Sequence, residues 1–411
     1  MVQGITAWLN KIHTFDSLRF RDYRLLWIGN TTEHAGEWIE QVGRAWLVWT
    51  MTGSPAMLGI VVATNPFVGA LLAPIGGLVA DRLDRRKVLM TSLVLMTITS
   101  LVLAFLVYTH RIQIWHIIAI EIIKGLILVF NHGVRPAITP NLIPKTHLLN
   151  ALTLENGTAQ AARLPATALA GWMIVSFGIA SVFGIRAIGT AIAFLVALPM
   201  RVPPVPAGGR KKSIVRDFIE GFRYVATHHI ELSLLLFFLV PTFLAAPFTT
   251  LFPIFADKIF QTGATGLGFL NSAAGLGNLV GLFLVASLPD FYGKGRLLFA
   301  SVFGAGLFLV FFSASTWYSL SLVLIVFVGL SNFVFTTLNN TLLQGMIPDQ
   351  VRGRVNSLRS LGRISLPLGE LTAGFLAAYW GAPWALGIMG GLCALLALVT
   401  LFLLPKVRAM Q

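Results

Sequence analysis

The sequence predicts an all-α membrane protein in which twelve transmembrane helices form two pseudo-symmetric six-helix bundles. Three observations lead to this fold. Of the 411 residues, 56% are hydrophobic and only 11% are charged, and the mean hydropathy is +0.80. The basic residues concentrate in alternate breaks between apolar runs, and the two halves of the chain repeat one another. Soluble chains carry about 25% charged residues. Most of the apolar surface is therefore expected to face lipid.

Twelve apolar stretches have the length of about 20 residues that a helix needs to cross a bilayer. In the first half they lie near 23–50, 56–80, 88–109, 112–134, 149–178 and 180–200. In the second half they lie near 231–256, 264–288, 296–315, 317–340, 356–380 and 383–404. The first, fourth, fifth and eleventh stretches are less apolar than the rest, so their assignment as spans depends most on the other observations.

The distribution of Lys and Arg predicts the orientation of the chain. One set of alternate breaks carries most of these residues, whereas the other set holds only Arg111 and Lys258. Because cytoplasmic loops retain positive charge, both termini are expected in the cytoplasm of a multi-pass protein of the cytoplasmic (inner) membrane. Residues 1–22 are polar, so no cleaved signal peptide is expected.

A Pro- and Gly-rich segment near the middle of the chain predicts the division into domains. Residues 1–200 form an N-terminal six-helix bundle and residues 231–411 a C-terminal one. Between them, 201–230 is a cytoplasmic linker. Its residues 213–229 have an apolar and a charged face, which predicts an amphipathic helix on the inner membrane surface.

The two halves contain an internal repeat. Sliding the second half onto the first by about 209 residues brings Gly59 onto Gly268 and Asp81 onto Asp290. Repeated halves in a membrane protein are typical of transporters, in which the substrate site lies between the halves.

The loop after the second span carries a motif with a family resemblance. It reads Gly77-Leu-Val-Ala-Asp81-Arg82-Leu-Asp84-Arg85-Arg86-Lys87. This resembles the G-x-x-x-D-R-x-x-R-R signature of the major facilitator superfamily, and the resemblance covers essentially the whole chain. It implies that the loop latches an inner gate, through Gly77, Asp81, Arg82, Arg85 and Arg86. Glycine allows a close helix approach, and arginines offer paired donors to carboxylates.

Within that superfamily, three further stretches are similar to the third drug:proton antiporter family. They are Arg24–Trp27 leading into 36–38, Arg135–Pro144, and Ile347–Val355. That family includes macrolide exporters and the exporter of the siderophore enterobactin. The resemblance implies multidrug-type efflux of an amphiphilic, drug-like small molecule in exchange for protons. In the fifth span, Pro165 and Gly171 stand in place of the Gly-Pro pair of many drug antiporters.

Ionisable side chains inside spans are costly in lipid and mark a pathway or a proton relay. In the first span, acids and one base follow at intervals of four, three and four, so they share one helix face: Glu33, Glu37, Glu40 and Arg44. Glu37 is nearest the expected midplane, and we expect it to be buried and to be the leading proton-coupling residue. Glu40 and Arg44 are expected to pair. The alternative is a purely structural network.

Other spans add four candidate proton-coupling or substrate residues. Glu121 and Lys124 in the fourth span are expected to neutralise each other. Arg163 in the fifth and Arg186 in the sixth have no local acid, so they need partners on other helices or on the substrate. Arg163 is a candidate partner of a first-span glutamate.

The second half offers different chemistry. The seventh span has four phenylalanines among three prolines, and the tenth has three amides: Phe243, Phe248, Phe252, Phe255, Asn332, Asn339 and Asn340. Arg363 and Glu370 in the eleventh span form a smaller charged counterpart. We expect an aromatic, amide-lined wall, including Asn339, that suits a bulky amphiphilic substrate. Phenylalanines that face lipid are the alternative.

Several motifs are absent from the sequence. It has no G-x-x-x-x-G-K-[ST], H-E-x-x-H or G-x-S-x-G motif, so no cofactor, metal site or catalytic residue is expected. Its basic residues lie in loops, which argues against nucleic acid. The expected partners are a small-molecule substrate, protons and the lipid bilayer, with the protein working as a monomer. A siderophore or metabolite exporter, a lipid flippase and an integral-membrane enzyme remain alternatives.

Overall fold

The computed structural model describes residues 13–80, 84–201, 214–287 and 293–410. These residues are almost wholly helical, and they include no β-strand. Nine helical segments among them are long and apolar enough to cross a membrane. The first, fifth and eleventh predicted spans are also helical, but they carry more polar residues or are divided. The all-α membrane fold is confirmed.

Six long helices make up the first half. They are α1 (Arg21–Thr52), α2 (Pro55–Ala80), α3 (Arg85–Tyr108), α4 (Ile114–Leu142), α5 (Leu148–Phe177) and α6 (Ala180–Ala197). Gly53 ends α1 in the left-handed conformation, with φ of 57°, and its amide donates to the carbonyl of Trp49. A residue with a Cβ is strained in that conformation, so glycine suits the helix end.

The second half begins with a short helix and continues with seven more. They are α7 (Ile214–Thr227), α8 (His229–Leu244), α9 (Gly263–Ala286), α10 (Lys294–Ala314), α11 (Tyr318–Met346), α12 (Asp349–Gly362), α13 (Ser365–Trp380) and α14 (Ala382–Leu403). The amphipathic helix predicted at 213–229 is α7.

The seventh span is not the continuous helix predicted at 231–256. After α8 the chain forms a 3-10 helix at Ala246–Leu251, one α-turn at Phe252–Ile254 and a π-turn at Phe255–Ile259. Pro247 and Pro253 cause this irregularity, because proline has no amide hydrogen to donate within a helix.

The eleventh span is also divided, since α12 ends at Gly362 and α13 begins at Ser365. Pro367 has no amide hydrogen for the carbonyl of Arg363. The amide of Leu366 donates to that carbonyl instead, at 3.2 Å. The helix therefore restarts with a tighter turn.

One end of the molecule gathers residues near both ends of the described chain, and we call it the terminal face. Three contacts there join different elements: Arg201 with Asp22, Arg354 with Glu220, and Gly295 with Met410. We call the opposite end the distal face. There Trp49, at the end of α1, donates from its indole nitrogen to Asp257 in the second half at 3.0 Å.

The halves meet toward the distal face through two pairs of glycines. A Cβ added at Gly59 of α2 would lie 3.0 Å from the Cα of Gly374 of α13. A Cβ added at Gly171 of α5 would lie 3.1 Å from the Cα of Gly268 of α9. Because the sequence repeat aligns Gly59 with Gly268, the two crossings are equivalent contacts. They let the helix backbones pack closely and seal the distal side.

Large apolar side chains cover the outside of the helices. Many are more than half exposed, among them Phe105, Val175, Leu195, Phe283 and Phe402. Soluble proteins rarely expose so much contiguous apolar surface. This surface fits lipid contact.

Candidate functional site

Close packing of α1 on α6 sets the position of the charged residues in α1. A Cβ added at Gly36 would lie 3.2 Å from the Cδ of Arg186, and one added at Gly43 would lie 2.5 Å from a valine of α6. Glu33 and Glu40 precede these glycines by three residues, so they lie on the same face of α1. Both carboxylates therefore lie in the protein interior, each 5% exposed as a residue.

Among the described residues, six charged side chains gather between α1, α4 and α6, and we call them the charge cluster. They are Glu33, Glu40, Arg44, Glu121, Lys124 and Arg186. All are buried except Arg44, whose side chain is 14% exposed. Three acids balance three bases, as burial inside a membrane requires.

The predicted pairing of Glu40 with Arg44 is wrong. Glu40 accepts a hydrogen bond from the ammonium of Lys124 on α4, and its other oxygen lies 3.3 Å from Nε of Arg186 on α6. Arg44 donates instead to Glu121. Pairing between helices gives each charged residue of the cluster on α1 and α4 a partner. Pairing of Glu40 with Arg44 along α1 could not do this.

Two other expectations about the cluster agree with the structure. Glu121 and Lys124 lie 3.6 Å apart on α4, so they do pair, although each also binds α1. Arg186 finds its partners across helices. It lies 4.0 Å from the carboxylate of Glu33 and donates to the backbone carbonyl of the same residue.

Glu37 does not lie in the cluster, and the expectation that it is buried is wrong. Its side chain is 57% exposed, and its Oε2 lies 3.6 Å from Nδ1 of His34. Glu37 is one turn from Gln41, which lines a small cavity between the halves with Thr250 and Asn271. It is thus rotated away from α6, toward the space between the halves.

Glu370 of α13 belongs to the second half but interacts with the cluster. It is 7% exposed, and its charge acts on Arg44. Within the described part of the chain, its Oε2 has no hydrogen-bond partner. A Cβ added at Gly59 would lie 2.7 Å from the carbonyl oxygen of Glu370, so this glycine permits the approach. Glu370 therefore acts together with the charges of the first half. It does not form the separate charged group in the second half that was expected.

Arg163 does not bind a glutamate of α1, contrary to expectation. Its guanidinium lies over the indole of Trp38, 4.4 Å from the ring centroid. Its Nη1 donates to Oδ1 of Asn278 on α9 at 3.1 Å, and Nδ2 of Asn278 donates to the carbonyl of Gly329 at 2.9 Å. The glutamates of the cluster are held by α4 and α6, whereas Trp38 faces α5.

The amide and aromatic residues of the second half pack within that half. Asn339 is fully buried, and its Nδ2 donates to the carbonyl of Leu234 at 3.0 Å, which joins α11 to α8. Phe252 and Phe255 are also fully buried and pack against Phe312, with ring centroids 5.8 Å and 4.6 Å away. In this structure these three side chains are covered by their own half, and a role for them in a substrate wall stays a prediction.

The structure describes only part of the predicted gating motif. The motif comprises Gly77, Asp81, Arg82, Arg85 and Arg86, of which Asp81 and Arg82 lie outside the described residues. Gly77 lies in the last turns of α2, and Arg85 begins α3. Arg86 donates from Nη2 to the carbonyl of Leu198 at 2.6 Å, at the terminal face. Its role in a gate remains a prediction.

Sequence reasoning did not predict two residues of the Arg163 site. Asn278 gave a usable signal, because an amide in an apolar span needs a partner. Trp38 gave none, since tryptophan in a membrane helix has many possible environments.

Twelve spans in two related halves, with balanced charges buried inside, define a membrane transporter of the major facilitator fold. The comparisons agree with this class. The chain belongs to the transmembrane secretion effector family of the major facilitator superfamily, whose family model matches residues 12–411. It is therefore a transporter and not an integral-membrane enzyme.

Two relatives match nearly the whole chain. The staphyloferrin A transporter of Staphylococcus aureus (strain NCTC 8325 / PS 47) is 24% identical over 379 residues, which cover 91% of this chain and 94% of the relative. Macrolide efflux protein A of Streptococcus pyogenes is 21% identical over 381 residues, with the same coverage of 91% and 94%. The crystal structure of the nucleoside transporter NupG has a TM-score of 0.72 at 15% identity, covering 93% of this chain and 98% of NupG, which shows the fold alone.

Proposed function

We propose that the protein exports an amphiphilic, drug-like small molecule across the cytoplasmic membrane in exchange for protons. The observation that carries this proposal is a charge cluster that is balanced within itself and has two further carboxylates near it. These are Glu37, open to the space between the halves, and Glu370, contributed by the opposite half. Similarity to a macrolide efflux protein supports the direction and the kind of cargo.

Proton binding at either further carboxylate would restore the charge balance. Glu37 acts on Arg44 and Lys124, and Glu370 acts on Arg44, so both add negative charge to a cluster that is already neutral. Negative charge beyond what the bases of the cluster balance is costly at membrane depth. A proton on Glu37 or Glu370 removes that cost without breaking any pair in the cluster.

Movement of the halves would tie the proton to the conformation. Glu370 and Arg44 lie in different halves, so rocking one half against the other changes the distance between them. A proton would bind Glu370 more readily when Arg44 is distant. This difference between states is what coupling requires, because a ligand shifts a conformational equilibrium only through its differential affinity.

The arrangement of the halves supports uptake of cargo from the terminal face. The glycine crossings Gly59–Gly374 and Gly171–Gly268 seal the distal side. Most of the loops that carry Lys and Arg lie at the terminal face, and such loops stay in the cytoplasm. Both termini are thus proposed to be cytoplasmic, and the close crossings at the distal face support a state that takes cargo from inside the cell.

Siderophore or metabolite export is the second candidate function. One observation favours it: Arg163 has no carboxylate within ion-pair distance among the described residues, so it is available to an anionic cargo. A cationic cargo would instead contact Glu37, because Glu33 lies against Arg186. The two candidates therefore differ in which of these residues contacts the cargo.

The test is cargo-induced proton movement in proteoliposomes that contain a pH-sensitive dye. The panel consists of cationic dyes, macrolides and catecholate siderophores, applied to wild type and to Glu231→Gln as a matched control. Glu231 is a buried glutamate, 6% exposed, at the start of α8 and outside the charge cluster. We expect one cargo class to move protons in both proteins. Cargo movement without protons would contradict antiport and leave a facilitator or a flippase.

A further inference from the structure

We propose that Arg163 and Trp38 form a binding subsite for an acidic group carried by an aromatic substrate. The proposal rests on the proposed function in one respect, which is that the substrate binds in the space between the halves. It adds that the substrate carries a negative charge.

Helices of both halves hold Arg163 in place. The residue lies in the middle of α5, and its guanidinium lies 4.4 Å from the ring centroid of Trp38 on α1. On the other side it donates to Asn278 of α9 at 3.1 Å. A Cβ added at Gly275 of α9 would lie 3.3 Å from Cγ of Arg163, so the absence of a side chain there makes room for the arginine stem. The cation is positioned before any ligand arrives.

The partners of Arg163 differ in kind from those of Arg44 and Arg186. Arg44 binds Glu121, and Arg186 lies against Glu33 and Glu40. For Arg163, the described ranges of the chain offer an aromatic ring and an amide but no carboxylate within ion-pair distance. Its buried Nε has no hydrogen-bond partner there either, which is also true of Nε in Arg44 and Arg186, so the missing carboxylate is what distinguishes Arg163. A guanidinium has five N–H donors, and a ligand that brings a negative charge would use them.

The location suits a substrate that enters from the terminal face. The crossing of Gly171 with Gly268 lies eight residues further along α5, about 12 Å toward the distal face at 1.5 Å per residue. Between this crossing and Arg163, the hydroxyl groups of Thr167 and Ser272 are hydrogen-bonded at 2.8 Å. Arg163 therefore lies on the terminal side of the contact between α5 and α9.

The chemistry of the pair selects a planar acid. Trp38 is fixed by a hydrogen bond from its indole nitrogen to the carbonyl of Ala159 at 3.3 Å, so its ring is a rigid surface. The guanidinium is planar and presents two parallel donors at its edge, which match a carboxylate or a catecholate. Gln160, one turn nearer the terminal face, has a buried amide oxygen without a partner within the described ranges and can add a polar contact.

The experiment compares three probes that share a pyrenyl-butyl body and carry an anionic, a neutral or a cationic head group. They are 1-pyrenebutyrate, 1-pyrenebutanol and (1-pyrenebutyl)trimethylammonium. Binding to the full chain in phosphatidylcholine nanodiscs is measured by energy transfer from tryptophan to pyrene, and empty nanodiscs correct for partitioning into lipid. We expect wild type to bind the butyrate about tenfold more tightly than the butanol, the scale of one charge-assisted contact. The trimethylammonium probe should bind most weakly.

Three variants test the assignment to Arg163. Arg163→Gln should lose the preference for butyrate but bind the butanol as wild type does, which also shows that it is folded. Arg163→Lys keeps the charge without the paired donors and should retain a weaker preference. The matched control is Arg359→Gln, because Arg359 also lies over an aromatic ring, 5.0 Å from the centroid of Phe238. It should keep the full preference.

Two results would overturn the proposal. One is equal binding of butyrate and butanol by wild type. The other is an equal loss of preference in Arg163→Gln and Arg359→Gln, which would indicate a general effect of positive charge. The assay uses no gradient and measures no flux. Failure of proton antiport would therefore leave its result standing, and failure of the subsite would leave antiport untouched.

Discussion

Glu370 of α13 and Arg44 of α1 come from opposite halves of the chain, yet their charges interact where the halves meet. Arg44 is already bound to Glu121 within its own half. The second acid therefore adds negative charge to an arginine that has its partner, and it does so only while the halves are in this arrangement. This relationship links the charge state of the site to the position of the halves.

Breaking one pair of the charge cluster should destabilise the protein strongly. In Glu40→Gln, Lys124 loses its hydrogen-bonded carboxylate while 3% exposed. Lys124 then keeps only Glu121, at 3.6 Å, and the loss of the hydrogen-bonded partner of a buried charge costs at most about 3–5 kcal/mol. The double variant Glu40→Gln/Lys124→Met should recover part of that loss, because it removes both charges. Thermal unfolding in detergent measures both effects.

The control for this prediction is an ion pair at the terminal face. Arg354 and Glu220 lie 2.7 Å apart with side chains 36% and 31% exposed. Solvent screens such pairs, so Glu220→Gln should change stability by no more than about 1 kcal/mol. Equal losses in Glu40→Gln and Glu220→Gln would contradict the account of the cluster.

A larger side chain at a glycine crossing should open the distal side. In Gly171→Val, the new Cβ would lie 2.6 Å from the carbonyl oxygen of Ala264, and backbone atoms cannot yield as a flexible side chain can. The helices α5 and α9 must then separate. Gly184→Val is the matched control, because a Cβ there meets nothing within 4 Å.

Spin labels on the distal face measure this opening. Cysteines at Thr50 and Tyr379, in a background with Cys393→Ser, report the distance between the halves by double electron–electron resonance. We expect a longer distance for Gly171→Val and the wild-type distance for Gly184→Val. An unchanged distance in Gly171→Val would show that the crossing does not seal the distal side.

Substitution of Asn339 should affect stability and not the choice of cargo. Asn339→Ala removes the hydrogen bond to the carbonyl of Leu234, which keeps its bond within the helix α8, so the loss of one buried hydrogen bond costs about 0.5–1.5 kcal/mol. Cargo affinity should stay at the wild-type value, because the side chain is fully buried between α8 and α11. A change in relative affinity among cargo classes would restore Asn339 as a substrate residue.

The fold could be predicted because it depends on composition and periodicity. Apolar length gives the spans, but the irregular turns near Pro247 and Pro367 were not predicted. Pairing of charges could be predicted only in part. Spacing places Glu40 and Arg44 on one face of α1, but the rotation of α1 against α4 and α6 decides which partner each one meets.

The same limit explains the errors at Glu37 and Arg163. Depth along a helix can be estimated from sequence, so Glu37 was expected at the midplane, but the direction it faces follows from close packing at Gly36 and Gly43. The partner of Arg163 depends on Asn278, which lies in the other half of the chain. Contacts between distant segments leave little trace in a single sequence.

The central claim is that Glu37 and Glu370 carry the exchanged protons, and gradient-driven transport tests it most directly. In proteoliposomes, wild type should accumulate cargo above equilibrium when a pH gradient is imposed. Glu37→Gln or Glu370→Gln should lose this accumulation while keeping exchange of labelled for unlabelled cargo, because neither substitution breaks a pair in the charge cluster. Accumulation at the wild-type level in both variants would contradict the account.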